Sequence, residues 1–145
     1  MPEIKKSEWA EFFANYPNSH ILQTPEWGDV KSKYDWHLVY FLHIDCGAQV
    51  LIRHLPLGYK IAYIPMGPIG KLERWGALLA EIDEFCRFQR VVFLKVEPDY
   101  WNMPHTADLL SETGFISSSH NIQPAATILI NLNDTEDNIL ANMKQ

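Results

Sequence analysis

The sequence predicts a single α/β domain built on a mixed, mainly antiparallel sheet with helices on both faces. Three observations carry that expectation. Trp36 to Ile44 and Ala48 to Leu55 are two apolar stretches joined through Asp45-Cys46-Gly47, which reads as a hairpin. A third stretch, Lys60 to Ile64, follows the Leu57-Gly58 turn and extends the hairpin to a meander. Beyond it Leu72, Trp75, Leu79, Ile82 and Cys86 recur at three and four residues, the spacing of an amphipathic helix.

The junction between that third strand and that helix is the most shaped part of the chain. It holds Pro65, Gly67, Pro68 and Gly70 within six residues. Proline fixes φ and removes a donor, and glycine reaches conformations other residues avoid, so the strand should stop at Pro65 and a built loop should follow. A loop past the carboxyl end of a strand is a favoured ligand position in α/β sheets. A plain strand-to-helix connector is the alternative.

The other elements follow in order. Ser7 can cap a first helix from Glu8 to about Asn15, with Trp9, Phe12 and Phe13 on one face. His20 to Gln23 reads as a short extended piece. Thr24-Pro25-Glu26 is a strong helix start, with a cap, proline in the first position and an acid in the first turn. That second helix should finish near Tyr34, with Trp27 and Val30 on one side and Lys31 beside them. The strand from Trp36 is apolar enough to be covered on both faces, whereas the next carries Gln49, Arg53 and His54 toward water or a ligand. Val91 to Val96 is a further strand, closed by Glu97-Pro98. A helix from about His105 to Thr113 ends at Gly114. Phe115 to Ser118 and Ala126 to Leu132 read as a last pair of strands. Asp134 or Thr135 caps a final helix carrying Glu136 and Asp137 in its first turn, where acids suit the helix dipole. A helix starting so near the end is the mark of a chain taken from something longer.

Composition bounds the function. At 145 residues, one domain with a real core is expected. A net charge of −6 argues against general affinity for a nucleic acid backbone, so no DNA partner is expected. Two cysteines without C-x-x-C spacing make neither a disulfide framework nor a zinc knuckle, and suit a reducing cytosol. The first residues lack the apolar core of a signal peptide and no run approaches a membrane span, so a cytoplasmic location is expected.

Several chemistries find no motif. G-x-S-x-G, the P-loop and G-x-G-x-x-G are all missing. The six histidines include no His-x-x-x-His pair, and His37 and His43 would stand about 20 Å apart on one strand, too far to share a metal. No metal site is expected. Glu97 and Asp99, flanking Pro98, are a candidate acid/base pair or simply two loop carboxylates.

The meander, the helix after it and the next strand resemble the acyltransferase fold of the acetyl-CoA-dependent N-acetyltransferases (GNAT-like). That family binds pyrophosphate on an Arg/Gln-x-x-Gly-x-Gly/Ala loop at a helix start. Here Gly67 and Gly70 are separated by Pro68, which has no amide to donate, so no coenzyme A cofactor is expected.

More specifically, the chain resembles the FemABX aminoacyltransferases of peptidoglycan interpeptide-bridge synthesis. The resemblance rests on Gln23-Thr24-Pro25-Glu26-Trp27-Gly28 with Lys31 and Trp36, and on Gly47-Ala48 with Leu51, Arg53, Leu55 and Pro56. It continues through Tyr63-Ile64-Pro65 with Gly67-Pro68, and through Phe93-Leu94-Lys95-Val96-Glu97-Pro98. Gly114-Phe115, Ile122-Gln123-Pro124 with Thr127, and Asn138 to Lys144 complete it. The order and spacing of these pieces are what is specific.

The resemblance implies the first of two acyltransferase-like domains, residues 1–145 being the N-terminal half of a longer protein. Such enzymes move an amino acid from aminoacyl-tRNA to the stem peptide of a peptidoglycan precursor, either a UDP-muramyl peptide or its lipid-linked form. Lys31 matches a lysine that contacts the precursor's phosphates, a role suited to a mobile point charge. The segment Asp99, Tyr100, Trp101 and Asn102 resembles a second precursor-contacting stretch, with aromatic area for a sugar or uracil face. Met66 and Gly67 are further candidates, where a ligand could approach the backbone. No catalytic base can be assigned within this half, which alone is expected to be inactive. The rival expectations are a coenzyme A-dependent N-acyltransferase and a binding domain without chemistry.

Overall fold

The computed structural model describes residues 3–99, 104–124 and 130–143. Its frame is a meander of three long antiparallel strands: β2 (Trp36–His43), β3 (Cys46–His54) and β4 (Lys60–Pro65). A two-residue strand, β1 (Glu3–Ile4), pairs with the outer side of β2, and β5 (Ile69–Gly70) pairs with the start of β3. β6 (Val91–Glu97) lies parallel to β4, so the sheet is mixed and mainly antiparallel, as expected. The parallel pair needs a crossover, and α3 (Trp75–Phe88) supplies it after a short 3-10 turn at Leu72–Arg74.

The period-2 pattern divides each strand between two faces. Val39, Phe41, Val50, Ile52, Ala62 and Ile64 meet the buried stripe of α3, formed by Trp75, Leu78, Leu79, Ile82, Phe85 and Cys86. Each valine, leucine, isoleucine or phenylalanine among them contributes about 1.5–3 kcal/mol by leaving water. The opposite face carries Leu38 and Tyr40, and α1 (Lys6–Phe13) packs on it through Trp9, Phe12 and Phe13. α2 (Pro25–Ser32) covers the neighbouring part of that face. α4 (Pro104–Glu112) and α5 (Glu136–Asn142) complete the described helices.

Several expectations are corrected. The first helix starts at Lys6 rather than Glu8, and Ser7 lies inside it; the Lys5 amide donates to the Glu8 carboxylate at 2.8 Å, closing the end without Ser7. Ile21–Gln23 is a 3-10 turn rather than an extended piece, because His20 Nδ1 accepts from the Leu22 amide. Cys46 belongs to β3 and is buried, since the hairpin turn shortens to Ile44-Asp45 with Ile44 left-handed at φ 56°. β3, not β2, is the strand buried on both faces from Cys46 through Ile52, because α3 lies on one side and the N-terminal helices on the other. Gln49 is therefore fully buried, while Arg53 and His54 do reach water. Residues 115–118 form no strand; 126–129 lie outside the described residues, and 130–132 are not strand either. Thr24 caps α2 by accepting from the Trp27 amide at 3.1 Å, and Thr135 caps α5, both as expected.

Gly70 shows why the loop after β4 needs its glycines. It holds φ +95°, and a Cβ there would stand 2.2 Å from the Asp45 carbonyl oxygen. The loop thus presses against the hairpin turn, where Lys71 pairs with Asp45 at 2.8 Å and the Tyr16 hydroxyl donates to the Asp45 carbonyl.

Candidate functional site

The site is assembled by one buried carboxamide. β4 stops pairing with β3 after Tyr63, and Pro65 lacks the N–H that would bond the next position, Gln49. Gln23 fills the gap. Its Nε2 donates to the Gln49 carbonyl at 3.3 Å and to the Pro65 carbonyl at 2.6 Å, and its Oε1 accepts from the Gln49 amide at 2.8 Å. The side chain thus does the work of a strand residue. Its own carbonyl accepts from Trp9 Nε1 at 3.0 Å, and Gln49 Nε2 donates to the Leu22 carbonyl at 3.2 Å. Both glutamines are fully buried. This fixes where α2 begins and hence where its last turn ends.

Lys31 sits in that last turn. Its Nζ lies 5.4 Å from the ring centre of Trp27 and 5.6 Å from that of Trp36. Arg53, paired across the hairpin with Trp36, places its guanidinium 5.7 Å from the same ring. Aromatic faces attract cations at this range. Neither Lys31 nor Arg53 has a carboxylate within ion-pair distance among the described residues. Beside them a shallow hollow of about 650 Å³ is lined by Ser32, Asp35, Trp36, His37, Arg53 and His54. Trp27 Nε1 is buried without a hydrogen-bond partner among the described residues. The arrangement is a pair of cations held over indole rings at the rim of an open surface, suited to an anionic group.

Met66 and Gly67 lie elsewhere, beside Gln23 at the start of α2. The helix between its ends is about 12 Å long, so Lys31 and Gly67 are not brought together. Gly67 is buried and its amide donates to the Glu97 carbonyl at 3.3 Å. A Cβ on it would meet Gln23 Cδ and Nε2 at 2.8 Å, so the close approach it permits is to the buried carboxamide. Pro68 has no amide, and that of Gly67 is engaged, which leaves this loop poorly equipped to cradle a pyrophosphate. Asp99 is exposed just after β6, at the Pro65–Glu97 end of the sheet and therefore near Met66 and Gly67 rather than Lys31. Tyr100, Trp101 and Asn102 lie outside the described residues.

Glu97 is not arranged as half of an acid/base pair with Asp99. Its carboxylate accepts from the Tyr63 hydroxyl at 2.5 Å and from the amides of Ile122 and Gln123 at 2.6 and 3.1 Å. Burial pushes its carboxyl up, but those donors and the Lys95 ammonium outweigh burial and hold it below the ordinary carboxylate range. Tyr63 is in turn raised, by burial first and then by Glu97, and it accepts from Gln123 Nε2 at 3.0 Å. Glu97 is a latch that fastens residues 122–123 to the end of β6. Among the described residues no cluster of three or more metal-type side chains exists, and no helix is long and apolar enough to cross a membrane. His43 hydrogen-bonds Glu81 at 2.8 Å, while His37 stands exposed.

Sequence reasoning turned Gln49 toward water or a ligand, read Glu97 as a candidate acid or base, and gave Gln23 no structural role. The one available signal was a run of buried strand residues interrupted by a single amide at Gln49.

Comparison with known proteins follows the same lines. The FemAB family model matches residues 4–114. No curated protein matches the sequence significantly. The crystal structure of FemX superposes with a TM-score of 0.68 at 24% identity, covering 79% of this chain and 32% of that one. A probable acetyltransferase superposes with a TM-score of 0.53 at 11% identity, over 86% of this chain and 89% of its own. A Trypanosoma brucei acetyltransferase gives 0.52 at 14%, over 84% and 95%. The acyltransferase-type fold expected from the meander and its following helix is thereby borne out, and the chain spans about a third of the FemX chain.

Proposed function

The chain belongs to the FemAB family, matched over residues 4–114, and from that premise we propose that it is the precursor-binding half of a tRNA-dependent aminoacyltransferase of cell wall synthesis. The whole enzyme would act in the cytoplasm on a UDP-muramyl peptide or its lipid-linked form. The precursor's amine attacks the ester carbonyl of aminoacyl-tRNA. A C–N bond forms, the ester C–O bond breaks, and the ribose hydroxyl leaves with a proton. This half contributes the seat for the acceptor, while the acyl donor is handled by the part of the protein outside these residues. Asp99 and Met66 would border that seat at its far end.

The observation that carries this reading is Lys31, held between Trp27 and Trp36 with no carboxylate partner among the described residues. A phosphate there would gain a charge-assisted hydrogen bond. The test is calorimetric titration of the chain with UDP-muramyl pentapeptide. Lys31→Ala should weaken binding about tenfold, the loss expected for one hydrogen bond to a charged group. Raising ionic strength from ~0.1 M to ~1 M shortens the screening length from ~10 to ~3 Å and should weaken the native complex while sparing the variant. Absence of binding, or binding indifferent to both changes, would overturn the proposal.

The fold shared with acetyltransferases keeps a coenzyme A-dependent activity as the second reading. Acetyl-CoA raising the melting temperature would favour it, because a ligand of the folded state stabilises that state.

A further inference from the structure

Two turns meet at one end of the sheet. Pro56–Gly58 joins β3 to β4, and Gln89-Arg90 joins α3 to β6. They are tied together: the Lys60 amide donates to the Arg90 carbonyl at 3.2 Å, and Lys60 Nζ donates to Gln89 Oε1 at 2.6 Å. What they present to water is apolar. Leu57 is 92% exposed, Phe88 74% and Tyr59 49%. A Cβ added to Gly58 would meet no atom within 4 Å, so the first turn stands clear of the body. Leu57 also holds a left-handed backbone, with φ 64° and ψ 18°, where leucine is strained and glycine or asparagine is at ease. Packing and backbone preference give no reason for a leucine there.

The same end is cationic. Residues 53–60 and 87–92 carry Arg53, Lys60, Arg87 and Arg90 and no acid, in a chain of net charge −6. Arg87 is partnered by Asp83 at 2.9 Å, whereas Lys60 and Arg90 have no carboxylate within ion-pair distance among the described residues. Glu84 lies one turn back from Phe88, about 6 Å along α3. Asp35 and Glu3 stand on the β2 and β1 side of the sheet, across β3 from the two turns.

We propose that these two turns are a docking surface for an anionic lipid bilayer. Leu57, Phe88 and Tyr59 enter the headgroup layer, and Arg90, Lys60 and Arg87 meet its negative charge. Charge complementarity and shape select this partner. Leu57 and Phe88 project from separate turns and form no flat face; a lipid interface takes in each one singly, whereas a protein must supply a fitted pocket for each. Tyrosine, with one polar end, suits the boundary between headgroup and acyl chain. Arginine and lysine lay their stems on apolar surface and keep their charge among the headgroups. The strained leucine is then retained for what it touches outside the molecule. The inference is independent of which ligand the Lys31 face receives.

The experiment is co-sedimentation of the native chain, Leu57→Asn, Phe88→Ala and Arg90→Gln with vesicles of phosphatidylcholine, with and without phosphatidylglycerol, alongside melting temperatures. The native chain should bind the phosphatidylglycerol vesicles and bind phosphatidylcholine alone more weakly. Leu57→Asn should weaken binding about tenfold while its melting temperature stays level or rises, since asparagine relieves the left-handed strain. Phe88→Ala should weaken binding by about the same factor. Arg90→Gln should cost about fivefold on phosphatidylglycerol vesicles, the share of one cation near such a surface, and nothing on phosphatidylcholine. No binding of the native chain to phosphatidylglycerol vesicles overturns the proposal. So does binding that responds to Arg90→Gln but to neither Leu57→Asn nor Phe88→Ala, which would be attraction without insertion. A lipid-free dimer in sedimentation equilibrium that Leu57→Asn dissociates would assign the surface to a second copy of the chain and overturn it likewise.

Discussion

Replacing Gln23 by alanine tests the device that positions the site. The carboxamide makes three hydrogen bonds to the backbone of Gln49 and Pro65, and the whole residue is excluded from water. Alanine leaves one amide and two carbonyls without that partner, at roughly 1 kcal/mol or more each, and opens a small cavity besides. A destabilisation of about 3–5 kcal/mol follows. With an unfolding entropy of roughly 2.1 cal/mol/K per residue, that lowers the melting temperature by about 10–15 °C for a chain of 145 residues. Gly67→Ala should also destabilise, by about 1–3 kcal/mol, because its Cβ would stand 2.8 Å from a carboxamide that its bonds prevent from moving. The two changes meet in one space, so they should not add. With Gln23 already reduced to alanine, the added methyl loses its main obstacle and keeps only the contact with Ile64 Cγ2 at 3.1 Å. The double variant should be at least about 1 kcal/mol more stable than the sum of the single changes predicts. Calorimetry of the four proteins measures this. A Gln23→Ala protein melting within about 3 °C of native, or strict additivity, would refute the idea that the carboxamide replaces a strand residue.

Two further outcomes follow from buried groups. Glu97 has its native pKa depressed, so its contribution to stability is complete above the ordinary carboxylate range and is lost as pH falls through the depressed native value. Glu97→Gln should therefore flatten the acid side of a stability–pH profile below the ordinary carboxylate range, and an unchanged acid limb would contradict the latch. Burial pushes the Cys46 thiol up to about 11 and the Cys86 thiol up to about 12, with nearby carboxylates adding to the effect. Neither should react with a thiol reagent at pH 8 while the chain is folded, and both should react in denaturant. Labelling of the native protein at the denatured rate would show that the α3 face is open.

The parts of the fold legible in the sequence are those whose signal is local. The α3 stripe, the Thr24-Pro25 helix start and the stop at Pro65 each depend on spacing within a turn or two, and each was readable. What escaped reading depends on partners far apart in the chain. Gln23 and Gln49 are 26 residues apart, and nothing near either one shows that an amide closes the gap left by a proline 42 residues from Gln23. Gln49 looked like a residue facing water because polar side chains in strands usually do, yet it is fully buried, with its Nε2 donating to the Leu22 carbonyl. Lys31 became a candidate only through the family resemblance, and Arg53 comes beside it only through the hairpin register that sets it opposite Trp36. Glu97 was read for its charge, but its donors come from residues 122–123, brought back by chain after α4.

The central claim is that the face bearing Lys31 receives the phosphorylated end of a peptidoglycan precursor. Backbone NMR spectra of the labelled chain during titration with UDP-muramyl pentapeptide test it most directly. The account predicts that shifted resonances cluster on the last turn of α2, on Trp36 and Arg53, and on the indole N–H of Trp27. Shifts confined to the α3 face, or spectra unchanged at saturating ligand, would contradict it.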